Sequence, residues 1–112
     1  MSPIAEIVAG TASPPTDVLS SAPATSISRT VTPDATADAM GHRGVKVFAT
    51  PWLIALLEDA AGRVIEPYLA ATATSVGTMI EMRHLAATPV GMTVRARATL
   101  LETDGKRFLF QV

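Results

Sequence analysis

The chain has 112 residues and no cysteine, is 48% hydrophobic and 17% charged, and sets nine Lys and Arg against ten Asp and Glu for a net charge of -1. That length holds one small domain whose shallow core favours a homodimer or higher homo-oligomer. The charge balance offers no field for nucleic acid or an anionic membrane, and the missing thiols exclude disulfides, thiolate metal sites and a cysteine nucleophile. Met1 to Gly10 has no basic n-region and no apolar run is long enough to span a bilayer, so the expected setting is cytoplasmic.

Residues 1–24 are rich in Ala, Ser, Thr and Pro without a sustained period, which predicts a flexible leader before a domain over 25–112. From Thr25, Ile27, Arg29 and Val31 alternate with Ser28, Thr30 and Thr32, the pattern of a short strand that stops at Pro33-Asp34. Gly41 and Gly44 mark a loop containing His42.

Thr50-Pro51 starts a helix predicted to run to about Glu66, since Thr caps free amides and Pro in the first turn loses no hydrogen bond. Its polar stripe is Asp59, Gly62, Arg63 and Glu66, with Asp59 and Arg63 spaced to pair; apolar residues cover most of the remainder. After an Ala/Thr linker, a strand starts at Gly77 with Thr78, Ile80, Met82 and His84 on one face. Pro89 and Gly91 turn the chain into a strand whose Val94, Ala96, Ala98 and Leu100 share a face. Asp104-Gly105 is a hairpin signal, followed by Phe108, Phe110 and Val112 on one face of a fourth strand. Strand, long apolar helix, then an antiparallel meander predicts an α+β fold, with a curved antiparallel sheet wrapped around one helix.

Four residues stand out chemically. Glu58 has only Pro51, Ile54, Ala55, Ala61, Gly62 and Ile65 at helical spacings, so its carboxylate has no local cation; it is either an acid, base or nucleophile, or a stripe-edge residue that reaches water. His84, near the end of an apolar-facing strand, is either a catalyst or a satisfied core residue. Thr50 is a helix cap, or a hydroxyl at a helix N-terminus where amides favour developing negative charge. Gly77 is a turn residue, or a place where a carbonyl comes close to the backbone. Two histidines without an i,i+4 pair argue against a metal site.

Val47-Phe48-Ala49-Thr50-Pro51, Glu58, Thr74-Ser75-Val76-Gly77-Thr78 and His84 followed by Ala86-Ala87-Thr88-Pro89-Val90-Gly91 form an ordered series. Over residues 25–112 it resembles the fluoroacetyl-coenzyme A thioesterase family of hotdog proteins. The resemblance implies a catalytic set of Thr50, Glu58 and His84, a substrate-positioning Gly77, and an acyl-CoA thioester as substrate with no separate cofactor. Thr50 or Glu58 would attack the carbonyl or activate water, and His84 would move protons.

An enoyl-thioester hydratase and a non-catalytic acyl-thioester binding module are the alternatives. Gly41-His42-Arg43-Gly44 stands where fluoroacetyl-specific members carry a phenylalanine-bearing lid, so that specificity is not implied here. Relatives continue past the fourth strand whereas this chain stops at Val112, which predicts a missing strand and an exposed sheet edge. Eight helical residues separate the Thr50 and Glu58 backbones by about 12 Å, so a site using both is expected to draw its groups from two chains. Arg83, Arg95, Arg97, Lys106 and Arg107 are candidates for the coenzyme A phosphates, or ordinary solvated residues of sheet faces.

Overall fold

A computed structural model describes residues 3–10 and 21–112. Five strands, β1 (Ile4–Ala9), β2 (Ala24–Thr30), β3 (Ser75–Glu81), β4 (Thr93–Thr103) and β5 (Arg107–Gln111), form one antiparallel sheet in the order β2-β4-β5-β1-β3. Among the described residues one long helix, α1 (Thr50–Ile65), lies on it and is extended by a 3-10 turn at Glu66–Tyr68. The helix is the expected one, ending at Ile65, one residue short of the expected Glu66, and the sheet carries one strand more than the four expected.

The helix presents Leu57, Ala60, Ala61, Val64 and Ile65 to the sheet, and the inward row of β4, Ala96, Ala98 and Leu100, meets them. Small residues on both surfaces let helix and strand approach, while Phe108 and Phe110 of β5, both fully buried, fill the volume beside them. At the margin of this core the Asp59–Arg63 pair forms as the i,i+4 spacing predicts, with N–O distances of 3.2 and 3.3 Å in solvent.

The N-terminal stretch departs from expectation. Composition assigns residues 1–24 to a leader, yet Ile4–Ala9 is a strand seated between β5 and β3, with Ala5, Ile7 and Ala9 at 0%, 2% and 1% exposure. Of this row Ile7 is the large apolar side chain, whose burial contributes about 1.5–3 kcal/mol, and the strand pairs along its length with β5 and β3. Residues 1–2 and 11–20 of that stretch lie outside the described residues. The exposed edge expected beside the fourth strand is likewise absent: β5 is paired on both sides, by β4 and by β1. The edge strands of the sheet are instead β2 and β3.

The β1–β3 pairing contains an irregularity that strand periodicity does not reveal. Glu6 pairs with Met79 but Ile7 pairs with Gly77, so Thr78 is an extra residue, a β-bulge. Its effect is to switch faces along β3. Ile80, opposite buried Ala5, packs toward the core, and strict alternation would send Thr78 the same way and Gly77 outward. The bulge reverses this: Gly77 and Ser75 face the helix, opposite Ile7 and Ala9, while the Thr78 hydroxyl donates to Glu6 on the outer surface. The expected shared face of Thr78, Ile80, Met82 and His84 therefore fails at Thr78. His84 lies three residues beyond the end of β3 in irregular chain, half-buried as Ile80 and Met82 are, while Glu81, Arg83 and Leu85 between them are exposed.

Candidate active site

Thr50 opens α1 but does not cap it; Ala49 is the capping residue, and no side-chain bond is made to the free amides. The Thr50 hydroxyl is turned instead to the His84 ring, with Oγ1 to Nδ1 at 2.9 Å. When the ring proton is on Nε2 the hydroxyl donates to Nδ1, which is the arrangement a general base needs to take its proton.

Two residues 34 apart meet because the segment before the helix is gripped on both sides. The Phe48 amide donates to the Thr88 carbonyl at 2.8 Å and the Ala49 amide to the Ala35 carbonyl at 2.9 Å, while Val47 bridges to Pro89. The loop after β3 is thus tied to the start of α1. Beneath it Val31, Ala35 and Phe48 form a small second core with Leu53, Leu56 and Val94 against them. Arg29 closes the side, its guanidinium 4.5 Å from the centroid of Trp52. The depression in front of the pair has a volume of about 280 Å³ and is lined by Val45, Val47, Ala86, Ala87 and the 85% exposed Leu85. The glycine-bounded loop that precedes it is ordered around Asp38, whose carboxylate accepts from the Gly44 amide at 2.7 Å; His42 is exposed there.

Glu58 and Gly77 form a second, separate group. Glu58 is half-buried and lines a cleft of about 530 Å³ with Ile7, Ala55, Gly62, Ser75 and Gly77. A Cβ added to Gly77 would lie 2.7 Å from Cδ of Glu58 and 2.8 Å from both carboxylate oxygens. The Glu58 carboxylate occupies the space that a side chain at this position would take. No hydrogen-bond donor or cation among the described residues sits on that carboxylate. Ile7, part of the same cleft, lies in the stretch that composition reads as leader; the β-branched run Ile4, Ile7, Val8 is the signal that could have found it.

The four residues singled out by sequence are therefore brought together in two pairs, Thr50 with His84 and Glu58 with Gly77, and the two pairs open onto different depressions. Of the candidate phosphate ligands, Arg95, Arg97 and Arg107 are exposed on the outer face of the sheet, away from the helix; Arg97 donates to Ser26 at 3.3 Å and Arg107 stands 3.9 Å from Glu6. Arg83 is exposed next to His84, and Lys106 is exposed in the β4–β5 hairpin.

A five-stranded antiparallel sheet curled around one long helix is the hotdog fold, and solved structures place it more narrowly. The chain superposes on a mutant fluoroacetyl-CoA-specific thioesterase in complex with fluoroacetate and CoA with a TM-score of 0.69 and 27% identity, covering 79% of this chain and 86% of that one. A mutant of the same enzyme in complex with acetyl-CoA gives a TM-score of 0.67 and 25% identity, covering 80% and 87%. Residues 31–112 match the family model of the fluoroacetyl-CoA-specific thioesterases, and the chain belongs to that family. A fluoroacetyl-CoA thioesterase of Streptantibioticus cattleyicolor is 42% identical over 67 residues, 60% of this chain and 48% of that protein, so the match spans about half the length of this curated relative. Strand β1 lies outside the family match.

Proposed function

We propose that this chain hydrolyses a small or medium acyl-coenzyme A thioester, using Thr50, His84 and Glu58 with Gly77 as the substrate-positioning glycine. The observation that carries the reading is the 2.9 Å contact between Thr50 Oγ1 and His84 Nδ1. A hydroxyl paired with an imidazole is the geometry of an activated nucleophile. His84 takes the hydroxyl proton as Thr50 Oγ1 bonds to the thioester carbon; collapse breaks the C–S bond, and the proton passes to the departing thiolate. Water then attacks the acyl-threonine carbon as His84 takes its proton; collapse breaks the C–O bond to Thr50, His84 returns the proton to Oγ1, and the acid leaves as a carboxylate, its proton going to solvent. Amides at the start of α1 and the backbone around Gly77 are the available donors for negative charge developing on the carbonyl oxygen. The relatives crystallised with CoA and acetyl-CoA support this substrate class, which also fits a cytoplasmic setting.

The separation of the two pairs supports a site completed across a homodimer. Thr50 and Glu58 begin about 12 Å apart on one rigid helix, and each pair lacks the other's chemistry. The edge strand β3 carries Gly77 and the 61% exposed Val76, and offers a second copy an unpaired strand beside the Glu58 cleft. Hydrolysis of an acyl-CoA panel by the wild type and by Thr50→Ala, Glu58→Ala and His84→Ala tests the reading. Loss of about 10²-fold or more in kcat is expected for each variant, and turnover that survives all three substitutions would refute the site.

A further inference from the structure

The bulge at Thr78 decides which way Gly77 faces, and something must hold it there. A bulged residue has no cross-strand partner of its own, and a strand can lose the extra residue by slipping its register by one. In β3 such a slip would turn Gly77 to the outer face and bring Thr78 onto Glu58, where Gly77 alone has room for the carboxylate.

Thr78 is anchored from the N-terminal strand. Its hydroxyl donates to Oε1 of Glu6 at 2.8 Å and lies 3.4 Å from the Glu6 carbonyl oxygen. The same carboxylate oxygen is 3.9 Å from the Arg107 guanidinium of β5. Three neighbouring strands thus converge on one carboxylate, on the face of the sheet opposite the helix. Glu6 is also the residue at which the β1–β3 register shifts.

We infer that Glu6 and Thr78 are positioning residues: their hydrogen bond pins the bulge in β3, and through it holds Gly77 against the Glu58 carboxylate. The inference rests on the hydrolase reading for its effect on turnover, but its structural core does not. Neither residue touches the site, and Glu6 lies on the strand outside the family match. The N-terminal segment therefore shapes the site from behind the sheet.

The test uses the full chain with Thr78→Val, which keeps the shape and removes the hydroxyl, and Thr78→Ser, which restores it. From the other strand, Glu6→Leu removes the acceptor and Glu6→Gln keeps one. Two quantities are read: kcat and KM on an acyl-CoA turned over by the wild type, and the backbone ¹H–¹⁵N shift of Gly77. Thr78→Val and Glu6→Leu are expected to lower kcat about tenfold, the equivalent of one hydrogen bond to a charged group, with KM within about twofold, and to move the Gly77 resonance. Thr78→Ser and Glu6→Gln are expected to restore both. If Thr78→Val fails to fold, the Glu6 pair decides alone. Wild-type kcat together with an unmoved Gly77 in the folded Val and Leu variants overturns the inference. Gly77 shifts that follow the hydroxyl and the acceptor, in a chain that hydrolyses no acyl-CoA, uphold the positioning role and sink only the hydrolase reading.

Discussion

The Thr50–His84 pair and the Glu58–Gly77 pair are assembled by different means. The first is made by loops: main-chain bonds from Phe48 and Ala49 stitch the segment before α1 to residues on either side, over a small core around Phe48. The second is made by the sheet, where a one-residue bulge in an edge strand turns a glycine under a carboxylate. A loop-built pair depends on a few buried contacts, whereas a sheet-built pair depends on register. Mutations should therefore damage the two halves in distinguishable ways.

The sharpest separation is complementation. On the proposed two-chain site, Thr50→Ala and Glu58→Ala are each expected to be inactive when purified singly. After mixing and subunit exchange at equal amounts, activity is expected to return to about a quarter of wild type, because half the dimers are mixed and each holds one intact site of two. No recovery, with exchange verified by mass spectrometry, would break the two-chain arrangement.

Phe48→Ala should strike the loop-built half. Phe48 is 1% exposed, and its truncation is expected to cost about 3–5 kcal/mol in denaturant unfolding, with activity lost alongside stability. Gly77→Ala should behave oppositely. The added methyl meets the far end of a flexible side chain, so melting should shift by only a few degrees, while displacement of the Glu58 carboxylate lowers kcat by about 10-fold or more. A melting loss as large as that of Phe48→Ala would undo the contrast between the two halves.

The smallest effects belong to the surface. Asp59→Ala removes an exposed ion pair beside Glu58 and is expected to change stability by no more than about 0.5 kcal/mol. Asp104, fully in solvent, is held below the usual carboxylate range by the Arg107 and Lys106 backbone amides it accepts from. Its contribution to the β4–β5 hairpin is present above the ordinary carboxylate pKa and disappears as pH falls through the lowered value. Loss of the hairpin's amide protection only on acidification is the expected signature in hydrogen exchange.

Much of this protein is legible without coordinates, because its signals are local. The span of α1, the Asp59–Arg63 pair, the inward rows of β4 and β5 and the Asp104-Gly105 turn follow from periodicity and turn chemistry within a few residues. The isolation of Glu58 on its helix is also local. What only the tertiary structure decided depends on distant pairings. Ile4–Ala9 becomes a strand because β5 and β3 leave a slot for it, although its neighbours read as a leader. Thr50 leaves its capping role because Thr88 and Pro89 bring His84 alongside. Gly77 faces Glu58 because one extra residue in β3 reverses an alternation that the sequence alone extends unbroken. Period-two patterning states which residues alternate; the partner strand determines where the alternation is interrupted.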